Sequence, residues 1–122
     1  MANFDTSTIR PVQWLGDSRA NVQNFPKDVQ KKMGDELQSF QFGRVPRKAK
    51  PFKGVGSGVF EIAIRHDTDA YRSVLAVKLG ETIYVLHAFQ KKSKQGIATS
   101  KQDVDLIKRR YNRARELAKN EH

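Results

Sequence analysis

The stretch "VFEIAIRHDTDAYRSVLAVKLGETIYVLHAFQ", residues 59–90, decides the fold. In its first eight residues Phe60, Ile62 and Ile64 alternate with Glu61, Ala63 and Arg65. A period of two puts the first set on a core face and the second on the opposite face of one strand. "HDTDA" then turns the chain into "YRSVLAVKL", and "GE" turns it again into "TIYVLHAFQ". Three consecutive strands joined by tight turns form an antiparallel meander. The last strand is apolar on both sides, as a central strand covered on both faces would be.

Working outward, "RPVQWLG" (residues 10–16) alternates Val12 with Trp14 and ends at Gly16, which predicts a first strand. Pro11 cannot donate to a ladder, so that strand belongs at an edge. Asp17 or Ser18 can cap a short helix, and Phe25-Pro26 restarts the chain for a second. In the second, Val29, Met33, Leu37 and Phe40 make one apolar stripe, with Gly43 placed to end it. The two form a helical hairpin. "GRVPRKAKPFKGVGSG" has no periodicity and predicts a loop. Beyond the meander, Thr99 or Ser100 can cap a last helix with Asp103 in its first turn. Val104, Ile107, Tyr111, Ala114 and Ala118 form its stripe, while Lys108, Arg109, Arg110, Arg113, Arg115 and Lys119 load the remainder. The expected fold is α+β: a small antiparallel sheet of the N-terminal strand plus the meander, with the helices on one face and the other face available.

The chain has 122 residues, the size of one domain, and residues 1–122 are taken as a single unit. It has no cysteine, which excludes disulfides, thiol nucleophiles and Cys-based metal sites. The start "MANFDTSTIRP" lacks the pattern of a secretory leader, and no stretch is long and apolar enough for a membrane span, so a soluble cytoplasmic protein is expected. Lys+Arg number 23 against 13 Asp+Glu, a net charge of +10. Such a surplus favours polyanions, nucleic acid first among them. Arg44, Arg47, Lys48, Lys50 and Lys53 follow one another with no acid between them.

"GVGSG" (residues 54–58) precedes a strand instead of opening a helix, so it is flexible entry to that strand and not a dinucleotide loop. His66, His87 and His122 are scattered and lack supporting carboxylates, so no metal or other cofactor is expected. A lone histidine in an apolar strand is by default a satisfied core residue. The neighbours of His87 argue otherwise: Glu61, Arg65, Arg72, His87, Lys91 and Lys92 all fall on or just past the meander strands. That set suits metal-free RNA cleavage by the RNA's own 2′-hydroxyl. The reaction needs a base, an acid and cations for the phosphorane oxygens, and an aromatic such as Phe89 can hold a splayed base. The bland alternative is that Glu61 simply pairs with Arg65 or Arg72 across the sheet.

"GVFEIAIR", then "YRSVLAVKLGETIYVLHAFQKKS", then a basic helix resembles the HigB-like, phage-derived branch of the RelE/ParE toxin superfamily. The matching positions are Phe60-Glu61, Arg65, Tyr71-Arg72, Leu86-His87, Phe89 and Lys91-Lys92, and the likeness spans about residues 10–115. It implies a RelE-like fold and a small endoribonuclease that cuts messenger RNA in the ribosome and so inhibits translation. It also implies a cognate helix-turn-helix, HigA-like antitoxin, with operator DNA bound only through the complex. Arg65, Arg72, Lys91 and Lys92 would hold the scissile phosphate, Glu61 or His87 would exchange protons, and Lys53 and Lys48 would extend the phosphate track. Several relatives use a tyrosine near the carboxyl end; here Tyr111 falls on the core stripe of the last helix instead. Two rival readings are a non-catalytic nucleic-acid-binding module and a gyrase-directed, ParE-like toxin.

Overall fold

Ile62 and Ile64 are buried on one face of the strand Val59–His66, and Glu61 and Arg65 lie on the other, as the alternation predicts. The computed structural model describes residues 9–92 and 99–120, with the side chain of Lys92 outside the description. In chain order the elements are β1 (Val12–Trp14), α1 (Ser18–Gln23), α2 (Lys27–Gln41), β2 (Ala49–Pro51), β3 (Val59–His66), β4 (Asp69–Ala76), β5 (Ile83–Lys92) and α3 (Lys101–Lys119). They build an α+β fold around a five-stranded sheet of order β1-β5-β4-β3-β2.

β3, β4 and β5 form the expected antiparallel meander, and β1 lies at an edge. Two details differ from the sequence-based expectation. β1 pairs with β5 in parallel, Val12 opposite Ile83, so the sheet is mixed. The segment predicted as a loop contributes a fifth strand, β2, whose Lys50 stands opposite Glu61. Only three residues long and closed by Pro51, β2 carries too little alternation to be seen, and its proline suits an edge.

The larger correction concerns the layers. Phe25 and the α2 residues Val29, Met33 and Phe40 pack with Ile62, Ile64, Tyr71 and Leu75 on one face of the sheet. The α3 residues Ile107 and Ala114 pack with Val59, Val74, Ala76, Tyr84 and Leu86 on the other. The sheet is therefore sandwiched, because β3 to β5 carry buried apolar residues on both faces and each face must be covered. Each such side chain contributes about 1.5–3 kcal/mol on burial.

Helix ends follow their sequence signals with small shifts. Ser100 is the N-cap of α3, its hydroxyl accepting from the Asp103 amide at 3.1 Å. Pro26 is the N-cap of α2 rather than its first helical residue, and Gly43 takes a positive φ of 82° just past the C-cap Phe42. Asp17 is the N-cap of α1 without a side-chain cap bond, because its carboxylate is turned to Arg110. Asp67, in the β3–β4 turn, adopts a φ of 55°, a left-handed conformation that Asp tolerates better than most residues.

Candidate functional site

The strand register sets the site. Across β3, β4 and β5, Glu61, Val74 and His87 form one row, Ala63, Arg72 and Phe89 the next, and Arg65, Ala70 and Lys91 the third. All three rows lie on the face that α3 covers, since Val74 packs with Ile107 and Ala114. With strands roughly 4.8 Å apart, the patch spans about 10 Å across them. The meander thus brings Glu61, Arg65, Arg72, His87, Phe89 and Lys91 onto one surface, as the sequence predicts. Lys92 ends β5 opposite Asp69, but its side chain lies outside the described residues, as does His122.

Within the patch, Arg72 Nη1 donates to Glu61 Oε2 at 2.8 Å, with the side chains 17% and 13% exposed. Arg72 Nε is buried and has no partner among the described residues, and the same holds for Lys91 Nζ. Burial pushes the Lys91 ammonium below its ordinary range, and the positive charge of Arg72 adds to this. Glu61 and Asp103 oppose it. Donors held out of water without acceptors are costly, and an oxyanion is the group that would satisfy them. Arg65 is exposed at the end of β3.

His87 is 6% exposed. Its Nε2 lies 2.7 Å from Asp103 Oδ1, in the first turn of α3, while Nδ1 is buried without a partner. Phe89 stacks on the imidazole, ring centroids 4.9 Å apart and planes 20° from parallel. The histidine is therefore not displayed on an open sheet face; α3 and Phe89 enclose it. A shallow cavity of about 300 Å³ nevertheless has His87 in its wall, with Asn21, Asn24, Phe25, Ala88, Phe89 and Gln90.

The two lysines assigned to a phosphate track diverge. Lys53 is exposed on the β2–β3 loop, whose Phe52 and Val55 pack on the α3 side. Lys48 lines a different cavity with Lys32, Asp35, Glu36 and Ile64, on the α2 side of the sheet.

Sequence reasoning missed Asp103 as the partner of His87, and Lys50, which stands beside Glu61. It also put Arg110 on the solvated face of α3. Arg110 instead donates to the Leu86 carbonyl at 3.0 Å, where β5 bulges between Val85 and His87, and to Asp17 Oδ1 at 2.8 Å. That hydrogen bond holds the Asp17 carboxyl below its usual range. Among the described residues, no cluster of His, Asp and Glu could hold a metal ion, and no helix is long and apolar enough to cross a membrane.

The fold is that of a RelE-like protein. The structure is similar to that of the Escherichia coli toxin RelE, a mutant in the free state, at a TM-score of 0.56 and 11% identity, covering 86% of this chain and 97% of that one. The Mycobacterium tuberculosis toxin–antitoxin complex RelBE2 is similar at a TM-score of 0.42 and 19% identity, covering 68% of this chain and 99% of that one. No curated protein matches the chain. Residues 20–112 match the family described as "Phage derived protein Gp49-like (DUF891)", and the chain belongs to that family.

Proposed function

We propose that this chain is the toxin of a type II toxin–antitoxin pair of the HigB-like kind, an endoribonuclease that cuts ribosome-bound messenger RNA without a metal. The observation that carries the reading is the patch itself: one carboxylate, one imidazole and the unpaired donors of Arg72 and Lys91, gathered on the α3 side of the sheet. In-line attack by a 2′-hydroxyl builds charge on the phosphorane oxygens, which Arg72, Arg65 and Lys91 would stabilise. Glu61 or His87 would take the 2′-hydroxyl proton, and the Lys91 ammonium would return one to the departing 5′-oxygen. A splayed base would seat against Phe89 in the adjoining cavity, with the amide of Asn24 in reach of its edge. Lys50 and Lys53 would lead the backbone in; Lys48, on the far face, would contribute least.

The inhibitory partner would be a HigA-like helix-turn-helix antitoxin, with operator DNA contacted through the complex. The net charge of +10 suits both RNA and an acidic protein partner. The test is to incubate the purified protein with translating ribosomes and a defined message, with and without 1,10-phenanthroline, a chelator that strips transition metals and leaves the ribosome its magnesium. Internal breaks that persist in chelator support the reading. Binding without breaks would favour a non-catalytic module, and intact message with damaged DNA topology would favour a gyrase poison.

A further inference from the structure

Resting on the ribonuclease reading above, we infer that Asp103 is a positioning residue that holds His87 in one tautomer, leaving Nδ1 as the nitrogen that exchanges a proton with substrate. A carboxylate only accepts hydrogen bonds, so the 2.7 Å contact places the hydrogen of a neutral His87 on Nε2 and the lone pair on Nδ1. Nδ1 has no partner of its own. A buried ring nitrogen left without a partner is costly, and a substrate hydroxyl reaching it from the adjoining cavity would satisfy it.

The anchor is itself anchored. Ser100 Oγ donates to the second carboxylate oxygen of Asp103 at 2.8 Å and accepts from the Asp103 amide. Two turns further along α3, Arg110 grips the Leu86 carbonyl, the residue before His87. One helix thus fixes both the ring and the backbone bulge that aims it. Phe89 limits rotation from the other side. The charged groups facing the ring are Glu61 from β3, Arg72 from β4, Lys91 from β5 and Asp103 from α3, with the Asp17–Arg110 pair behind the bulge.

In the step this arrangement serves, Nδ1 takes the 2′-hydroxyl proton as the 2′-oxygen bonds to phosphorus. The bond from phosphorus to the 5′-oxygen breaks, its electron pair leaves with that oxygen, and the Lys91 ammonium supplies the proton it needs. The products are a 2′,3′-cyclic phosphate and a 5′-hydroxyl; exchange with water then restores Lys91 and His87.

The experiment is nitrogen NMR of the histidine-labelled protein at a pH where the ring is neutral, joined to single-turnover cleavage. The wild type should carry its imidazole hydrogen on Nε2. Asp103→Ala should scramble the tautomers and lower the cleavage rate at saturation about 10- to 100-fold, with substrate affinity nearly unchanged. Asp103→Ser, too short to reach the ring, should do the same and serves if the alanine variant fails to fold. Glu116→Ala, on the exposed side of α3 where its carboxylate meets only Lys119, should leave tautomer and rate as they are. A wild-type hydrogen on Nδ1, or full cleavage with an unchanged tautomer in both Asp103 variants, overturns the positioning role. A wild type that holds the Nε2 tautomer yet cuts no RNA overturns the ribonuclease reading and, with it, the role given to Nδ1.

Discussion

Glu61 and Arg72 are joined on the diagonal: Glu61 stands opposite Val74 and Arg72 opposite Ala63, yet their side chains meet at 2.8 Å. The diagonal bond occupies Nη1 of the guanidinium and leaves Nε unpartnered. Arg72 is thereby preorganised with donor capacity to spare, the property a transition-state contact requires. Arg72→Ala should lower the single-turnover cleavage rate by about 10²–10³. Lys48→Ala, on the opposite side of the sheet, should change affinity and salt dependence slightly and the rate hardly at all. Equal, small losses in both variants would place the chemistry away from the β3–β5 patch.

Lys91 carries the opposite expectation for stability. Its Nζ is out of solvent without a partner, so replacing it with a side chain of similar length and no charge removes an uncompensated desolvation cost. Lys91→Met should raise stability by about 1 kcal/mol while abolishing most cleavage. The pH dependence follows from the lowered folded value. Between that value and the ordinary 10.5 the unfolded chain binds more protons, so this residue makes wild-type stability rise with pH in that window. The slope should shrink in Lys91→Met. Thermal unfolding from neutral pH upward measures both effects; a less stable Lys91→Met protein would mean that the ammonium is well paired.

A period of two in β3 and the turns that bound β4 and β5 made the meander legible; the bulge at Leu86, which shifts the parity of β5 and so brings His87 and Lys91 to the face of Glu61 and Arg72, left no mark in the pattern. The second layer was less accessible. Amphipathicity of α3 says that the helix packs, not on which side. The clue lay in Val59, Val74 and Ala76, apolar residues on the face that carries Glu61, which needed a cover of their own. Asp103 and Arg110 were legible as a first-turn acid and a surface cation. Their bonds to His87 and Leu86 depend on how α3 docks, which no local pattern encodes.

Gly16 tests that docking. It has a φ of 55°, and a Cβ there would run into the Arg110 guanidinium, which is tied to Leu86 and Asp17 and cannot swing away without breaking those bonds. Gly16→Ala should destabilise the protein by about 1–2 kcal/mol from the backbone conformation alone. It should also loosen the bulge before His87, lowering cleavage per folded molecule. Unchanged unfolding temperature and rate would mean that the helix adjusts freely.

The same contact has an acid limb. Asp17 is depressed chiefly by its hydrogen bond to Arg110, so its contribution is full above the ordinary carboxylate value of 3.8 and is lost as pH falls through the lower folded value. With the carboxylate 60% exposed, solvent screening keeps that contribution small. Asp17→Asn should therefore lower the melting temperature slightly at neutral pH and not at all at strongly acidic pH. A deficit that persists in acid would trace to lost N-terminal helix geometry instead of the ion pair.

His87 decides whether the patch is chemistry or architecture. Buried at 6% and bonded to Asp103, it cannot be removed without cost: His87→Ala opens a cavity and leaves the Asp103 carboxylate without its imidazole partner. A stability loss of about 1–3 kcal/mol is expected whichever role it has. Activity per folded molecule separates the roles. A structural histidine would lower cleavage only in proportion to the fraction unfolded, whereas a proton-transfer histidine would lower it by about 10²–10⁴ at temperatures where the variant is fully folded. Thermal unfolding and single-turnover cleavage on one purified His87→Ala preparation measure the two effects side by side. Near-normal cleavage by the folded fraction would leave His87 as a core residue and shift proton transfer to Glu61 and Lys91.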